Sequence, residues 1–127
     1  MSFSVKGKFT SRLIGQQVED FAAQYLSQQG IQILEKNFQC KAGEIDIVGR
    51  MANILVFVEV RYRRSREFGH PLETVTRAKQ IKLIRTAQYY LQRFRNHPPD
   101  CRFDVISAIG SISQLDWEWI PNAFQVQ

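Results

Sequence analysis

Two helices are predicted from the spacing of hydrophobic and polar residues along this chain. Over residues 13–29 the apolar side chains recur every three or four positions, as in a helix with one buried face, and Gly30 is placed to end it. A second helix is predicted over residues 76–96, and Pro98 and Pro99 stop it. The apolar positions near one face are Ile14, Val18, Phe21, Ala22, Tyr25 and Leu26 in the first helix and Ala78, Ile81, Ile84, Leu91 and Phe94 in the second.

Strand-like runs lie between and after these helices. The predicted strands cover residues 31–38, 44–48, 54–62 and 102–109. Residues 40–43 form a turn, and residues 49–53 form the hairpin connection between the second and third strands. The third strand is apolar on both faces, which predicts a central place in the sheet. A short edge strand is expected in the tail before Pro121. The order helix, three strands, helix, strand predicts an α/β fold with a mixed central sheet flanked by helices.

The length of 127 residues and the hydrophobic share of 44% suit a single domain with one core. Residues 1–12 are polar and basic, and we expect them to form a flexible segment before a domain spanning residues 13–127. The N-terminus lacks the features of a signal peptide, and no apolar run approaches the roughly 18 residues that a membrane span needs. The expected location is therefore the cytoplasm.

The balance of charges suggests a polyanionic partner. The chain carries 17 Lys and Arg against 12 Asp and Glu, a formal charge of +5. That excess suits nucleic acid, although soluble proteins that bind none carry as much. Cys40 and Cys101 are far apart and form no C-x-x-C pair, so we expect free thiols rather than a zinc site.

Two carboxylates interrupt the apolar bodies of the second and third strands. They are Asp46 in EIDIV and Glu59 in LVFVEVR. If these strands pair across a turn centred between Ala52 and Asn53, the positions 46 and 59 lie opposite each other on one side of the sheet. Glu44 shares the face of Asp46, as a further acid beside the site or as a solvated side chain.

Burying two neighbouring carboxylates is costly, because each loses hydration and the two charges repel. A divalent cation relieves both costs, and hard ions such as Mg²⁺ prefer oxygen ligands. Such an ion polarises a phosphodiester and generates hydroxide near neutral pH. The alternative is a structural ion pair, in which Glu59 meets Arg61 and Asp46 lies at a solvated strand end. The residues alone leave both interpretations open.

The spacing from Asp46 to Glu59-Val60-Arg61 resembles the signature of the PD-(D/E)xK nuclease superfamily. That superfamily has the same order of helices and strands, and its first helix often supplies a further acid, for which Glu19 is in the matching place. More closely, the chain resembles the YraN-like family of small bacterial proteins. The stretches that carry this resemblance cover most of positions 15–105 and include GQQVEDFAAQYL, GEIDIV, FVEVRYR and RFDV.

The resemblance implies a restriction-endonuclease-like core and a site for Mg²⁺ or Mn²⁺. Asp46 and Glu59 would be metal ligands, together with the carbonyl of Val60. Glu19 would bind metal-coordinated water or a second ion. Similarity to archaeal Holliday-junction resolvases implies phosphodiester hydrolysis in structured or branched DNA, and a homodimer for cutting a symmetric junction.

One position departs from the nuclease pattern. Arg61 stands where the pattern has lysine, and arginine keeps its proton, so it cannot be a general base. It is still able to stabilise charge that develops on a phosphate. Three hypotheses remain: a metal-dependent endonuclease, a non-catalytic nucleic-acid-binding protein on a nuclease fold, and an interaction protein whose acids are structural.

The remaining candidate residues are basic or aromatic. Contacts to phosphates are predicted for Arg63, Arg64 and Arg66 in the loop after the third strand and for Lys79, Lys82 and Arg85 on the second helix. The alternative for both groups is an ordinary solvated surface. Trp117 and Trp119 are expected to pack over the core, with base stacking or a dimer contact as alternatives, and Asp104 is expected to pair with Arg102.

Overall fold

The structure, a computed structural model, describes residues 8–65 and 75–125. It confirms the α/β fold and the predicted element order, and it adds a full fifth strand. The elements are α1 (Lys8–Gln28), β1 (Gln32–Cys40), β2 (Gly43–Met51), β3 (Ile54–Arg63), α2 (Arg77–Leu91), β4 (Asp100–Ser111) and β5 (Gln114–Phe124). A short 3₁₀ turn, Gln92–Phe94, continues α2.

The five strands form one mixed sheet in the order β1-β2-β3-β4-β5, so β3 is central, as predicted. All neighbours are antiparallel except β3 and β4, whose parallel pairing uses a connection that contains α2. The β2–β3 ladder runs from Ile47↔Val58 to Met51↔Ile54, which is the predicted register. The predicted connection over residues 49–53 was too long, because the ladder continues to Met51 and only two residues form the turn.

The two helices cover opposite faces of the sheet. Alternate residues of β3 pack into different cores. Leu55 and Phe57 lie in the α2-side core, and Val56 and Val58 lie in the α1-side core. The α1-side core contains Ala22, Ala23, Leu26, Ile31, Ile47, Val56, Val58 and Ile106. The α2-side core contains Ile45, Val48, Leu55, Phe57, Val75, Leu83, Ala87, Tyr90, Phe103, Val105 and Phe124.

Helix α1 begins earlier than its apolar period predicted. It starts at Lys8, so residues 8–12 of the segment expected to be flexible are helical, whereas residues 1–7 lie outside the described part of the chain. Its end is as predicted, because Gly30 has a φ of 101°, a left-handed conformation that favours glycine. No helix in residues 8–65 and 75–125 is long and apolar enough to cross a bilayer.

Helix α2 packs through a face that only partly matches the predicted one, because Ile84, Leu91 and Phe94 pack against the α2-side core as predicted. Its buried residues are Leu83, Thr86, Ala87 and Tyr90, while Ile81 is 36% exposed. These residues still recur at helical spacing. The prediction missed these four positions because two of them, a threonine and a tyrosine, carry polar atoms and interrupt the apolar pattern.

Strand β5 is a long edge strand that includes Pro121, rather than a short strand before it. An edge position tolerates proline because one side of the strand needs no donor. The β4–β5 register shifts opposite Asp104, which is 1% exposed. Arg102 donates to both carboxylate oxygens of Asp104, confirming the expected pair, and Trp119 Nε1 and the Asn122 N–H donate to it as well.

The tryptophans pack over the α1-side core, as expected. The ring of Trp117 stacks on Tyr25 of α1 with centroids 5.6 Å apart. Trp119 also contacts this core while its indole N–H is held by Asp104. Both rings therefore join β5 to the body of the domain.

Candidate metal centre

A kink in the β1–β2 hairpin places Asp46 between the two faces of the sheet. Asn37, which lies opposite Asp46 in the register, has a φ of 57°. Residues two apart in a regular strand share a face. Here Ile45 lies in the α2-side core and Ile47 in the α1-side core. The side chain between them is therefore within reach of groups from both helices.

Asp46 contacts three of the predicted site residues. Its Oδ2 accepts a 2.8 Å hydrogen bond from the Val60 N–H. Its carboxyl group also lies close enough to those of Glu59 and Glu19 to raise the pKa values of both. Asp46 and Glu59 face each other one position beyond the end of the β2–β3 ladder. Asp46 thus lies beside each of the other two acids that the sequence singled out, Glu19 and Glu59.

A second group of oxygens lies on the α1 side of Asp46. One carboxylate oxygen from each of Glu19, Glu44 and Asp46 lies within 4.8 Å of the others. The carboxamide of Asn37, oriented by its hydrogen-bond partners, donates to Glu19 Oε1 at 2.9 Å and to Glu44 Oε2 at 3.3 Å. Gln39 Nε2 donates to Glu44 Oε1 at 3.2 Å. These amides hold the carboxylates close together despite their charge.

Glu59 is 5% exposed and is held between two cations. Arg61 Nε lies 3.4 Å from Glu59 Oε2, and Lys79 Nζ lies 3.7 Å from the same oxygen. The ion pair with Arg61 was one of the alternatives left open by the sequence. The structure contains both that pair and the contact with Asp46, so the two interpretations are compatible geometrically.

Burial and mutual repulsion shift the acids toward their protonated forms. Burial raises the pKa of Glu59 to about 7; Asp46 adds to the rise, and Lys79 and Arg61 oppose it. Burial, then Asp46 and Glu44, raise the pKa of Glu19 to about 7. Burial raises the pKa of Asp46 as well, against the Val60 N–H, which lowers it. A divalent cation would replace the protons that these carboxyl groups hold near neutral pH.

The donor set fits a hard cation such as Mg²⁺ or Mn²⁺, because every ligand atom it offers is oxygen. Asp46 and Glu59 would supply carboxylates. The N–H and C=O of one residue in an extended strand point to the same side, so the carbonyl of Val60 faces β2 as its N–H does. Glu19 and Glu44 are placed to take metal-bound water or a second ion.

A polar cavity of about 510 Å³ opens beside these acids. Helix α1 forms one wall, and the β1–β2 hairpin forms the other. Its lining residues are Arg12, Gly15, Gln16, Glu19, Asn37, Gln39 and Glu44. The carboxyl groups of Glu19 and Glu44 are thus reachable from solvent on the α1 side.

The predicted phosphate-binding residues fall in different places. Lys79 lies at Glu59, whereas Lys82 and Arg85 are exposed on α2, away from its buried face. Arg63 is half-buried near the end of β3, and Arg64 just beyond it is exposed. The predicted contact at position 66 lies outside the described residues.

Sequence reasoning missed several residues of the site. It assigned no role to Asn37 or Gln39, and it treated Lys79 only as a contact for phosphates. Each of these residues meets an acid from a distant part of the chain: Asn37 contacts Glu19, and Lys79 contacts Glu59. No local pattern could have revealed these contacts, because they depend on how the helices pack on the sheet.

Comparison with known proteins decides the family. The family model described as Uncharacterised protein family UPF0102 matches residues 18–108. The chain belongs to the UPF0102 family. This confirms the resemblance to the YraN-like family, and the matched span contains all four acids of the site and Lys79.

Bacterial members of the UPF0102 family match nearly the full chain. A UPF0102 protein of Janthinobacterium sp. (strain Marseille) is 45% identical over 121 residues, covering 95% of this chain and 94% of its own. A UPF0102 protein of Vibrio campbellii is 45% identical and covers 92% and 96%. One from Coxiella burnetii is 45% identical and covers 90% and 93%.

Proposed function

We propose that this UPF0102 protein is a metal-dependent endonuclease that hydrolyses phosphodiester bonds in structured or branched DNA. The observation that carries the proposal is the position of Asp46, which contacts Glu19 from α1 and both Glu59 and Val60 from β3. We assign the α/β fold to the restriction-endonuclease-like class on the same grounds, since its element order and the placement of its acids agree with that class.

Asp46, Glu59 and the Val60 carbonyl would hold Mg²⁺ or Mn²⁺. The bound ion would supply Lewis acidity toward the phosphate and lower the pKa of a coordinated water. Glu19 would orient water on the α1 side. Arg61 would stabilise negative charge on the phosphate while it remains paired with Glu59. In the reaction, one P–O bond forms to a water oxygen, and the P–O bond to a sugar oxygen breaks as that oxygen gains a proton.

The charge distribution supports a nucleic-acid substrate. The chain has a formal charge of +5, and Lys82, Arg85 and Arg64 are exposed. Such side chains would contact phosphates and position the backbone without reading its sequence. DNA rather than RNA, and a branched substrate, follow from the resemblance to junction resolvases.

A second candidate function is non-catalytic binding of nucleic acid on the same fold. Arg61 favours it, because a permanently charged guanidinium stands where nuclease motifs have lysine and is ion-paired to Glu59. In that case the acids would be structural, and binding would not depend on a metal.

The deciding experiment incubates the protein with synthetic four-way junctions and linear duplexes in Mg²⁺ or Mn²⁺. We expect the wild-type chain to cleave the junction, and we expect Asp46→Ala and Glu59→Ala to abolish cleavage. Asp20→Ala is a matched control, because Asp20 is an exposed acid on the same helix as Glu19. Salt-sensitive binding without cleavage, unchanged by a chelator, would favour the second candidate. Absence of salt-sensitive binding would leave an interaction protein.

A further inference from the structure

We propose that Lys79 of α2 supplies the ammonium group that the β3 motif lacks, and that it contacts the attacking water and a phosphate oxygen. This inference rests on the proposed nuclease function and deepens it. It assigns a catalytic residue from outside the motif, where the pattern of the sequence pointed only to Arg61.

Lys79 and Arg61 converge on one atom from different elements. Their side-chain nitrogens lie 3.7 Å and 3.4 Å from Oε2 of Glu59. The side chain of Lys79 is 41% exposed, compared with 30% for Arg61 and 6% for Glu59. Of the two cations, Lys79 is therefore the more open to a substrate that approaches from solvent.

The backbone of Lys79 is held firmly in the first turn of α2. Its N–H donates to Oγ1 of Thr76, the N-cap residue, at 3.2 Å. Gln80 Nε2 donates to the carbonyl of Val75 at 3.1 Å, and Val75 is buried in the α2-side core. These contacts fix where the side chain of Lys79 begins, so the ammonium is presented to Glu59 by a rigid part of the fold.

The charges of this turn oppose the helix dipole. The N-terminal end of a helix carries partial positive charge, so cations are disfavoured there. Yet the first turn of α2 contains both Arg77 and Lys79. An anion beside the turn offsets that cost. Glu59 fills this role in the structure, and a substrate phosphate would add to it.

The two cations differ in what they offer a reacting phosphate. The guanidinium of Arg61 is planar, and its Nε lies 3.4 Å from Glu59 Oε2. An ammonium is compact and has three donors. Lys79 is able to give one donor to Glu59 and the others to water and a phosphate oxygen. It acts as a donor throughout.

The test measures junction cleavage in Mn²⁺ by Lys79→Ala, Lys79→Arg and the double variant Arg61→Lys/Lys79→Ala. Removing one preorganised donor costs about 10²–10³ in kcat, and we expect that loss in Lys79→Ala. We expect Lys79→Arg to remain slow, because its guanidinium has a different geometry. The double variant should regain most of the lost rate, since Arg61→Lys returns an ammonium to Glu59 from β3. Arg50→Ala, which removes an exposed charge toward the other end of β2, should keep the wild-type rate.

Melting temperature and Mn²⁺ affinity, measured on every variant, separate catalysis from folding. A Lys79→Ala variant that folds and binds Mn²⁺ but cleaves slowly, with recovery in the double variant, supports the inference. A folded double variant as slow as Lys79→Ala overturns it, since Lys79 would then only balance the charge of Glu59. If cleavage requires Asp46 but not Lys79, the inference about Lys79 is overturned and the proposed nuclease function stands. A wild-type chain that cleaves none of the substrates overturns the proposed function as well.

Discussion

The backbone N–H of Val60 donates a 2.8 Å hydrogen bond to Oδ2 of Asp46, one position past the end of the regular β2–β3 ladder. Strands usually satisfy such an N–H with a carbonyl of the neighbouring strand. Here a side chain takes the place of the carbonyl, so the carboxylate is fixed to β3 by a bond that needs no metal. The candidate ligands are therefore positioned before an ion arrives.

Asp46→Asn should separate this positioning from metal binding. The asparagine oxygen still accepts from Val60, and the loss of a buried charge removes repulsion, so we expect the metal-free melting temperature to stay level or rise. Loss of a group that only supports a metal ligand lowers metal affinity about 10–100-fold. We therefore expect the Mn²⁺ affinity of Asp46→Asn, measured by calorimetry, to decrease by at least that factor. Asp20→Asn, in an exposed ion pair with Lys36, should leave Mn²⁺ binding unchanged.

The metal-free protein should lose stability as the pH rises. The pKa values of Glu19 and Glu59 are raised from 4.5 to about 7 in the folded chain. For an acid shifted this way, the stabilising contribution is complete below about 4.5 and is lost as pH rises through about 7. We expect the melting temperature measured in chelator to decrease with rising pH, and we expect added Mn²⁺ to reverse this decrease.

Glu59→Gln is the control for the pH dependence. The substitution removes the part of the pH-dependent loss of stability that Glu59 causes. The free energy of unfolding of the wild-type chain should therefore decrease relative to that of this variant between pH 4.5 and 7. Parallel pH profiles for the two proteins would contradict the assignment of the raised pKa to Glu59.

Substitution of Asp104 should lower stability without affecting Mn²⁺ binding, the reverse of the effects expected for Asp46→Asn. Removing one partner of a buried ion pair costs about 3–5 kcal/mol. Asp104→Ala leaves Arg102 without its carboxylate and also removes the acceptor for Trp119 and Asn122, so we expect a loss of that size in urea unfolding. The variant that remains folded should bind Mn²⁺ normally. Reduced Mn²⁺ affinity would place Asp104 in the metal centre.

Two glycines should respond to alanine with opposite signs. A Cβ at Gly49 would lie 2.5 Å from Cγ2 of Ile31, and overpacking of this kind costs about 1–3 kcal/mol. A Cβ at Gly15, within α1, meets nothing within 4 Å, so Gly15→Ala should stabilise the helix by about 0.5–1 kcal/mol. Urea unfolding of the two variants checks both values, and equal effects would contradict this packing.

Exposed cations of α2 should set the salt dependence of DNA binding. Each lost phosphate contact lowers the slope of log K against log salt by about 1. We expect Lys82→Ala and Arg85→Ala each to have this effect, measured by fluorescence anisotropy with labelled junction DNA. Arg50→Ala, an exposed residue toward the other end of β2 that bonds Gln32, should keep the wild-type slope. A matching decrease in Arg50→Ala would point to general charge rather than a binding face.

Short-range patterns were enough to predict the hairpin that carries two of the acids. The predicted pairing of the two strands placed the turn centre between Ala52 and Asn53, and the observed ladder has that centre. Asp46 and Glu59 therefore face each other one position beyond this ladder. The buried face of α1 was predicted for a similar reason, since its apolar residues repeat at the helical period.

Three features were decided by the tertiary structure: the fully buried positions of α2, the kink at Asn37 and the contact of Lys79 with Glu59. A positive φ cannot be predicted from the hydrophobic pattern. Asparagine adopts it more readily than most residues, but only the surrounding structure decides which asparagine does so. Lys79 is twenty positions from Glu59 in the chain, and only the docking of α2 on the sheet brings their side chains within 3.7 Å. Periodicity determined most of the strands and faces; the packing of both helices on the sheet determined which side chains meet in the candidate metal centre, because those contacts join residues far apart in the chain.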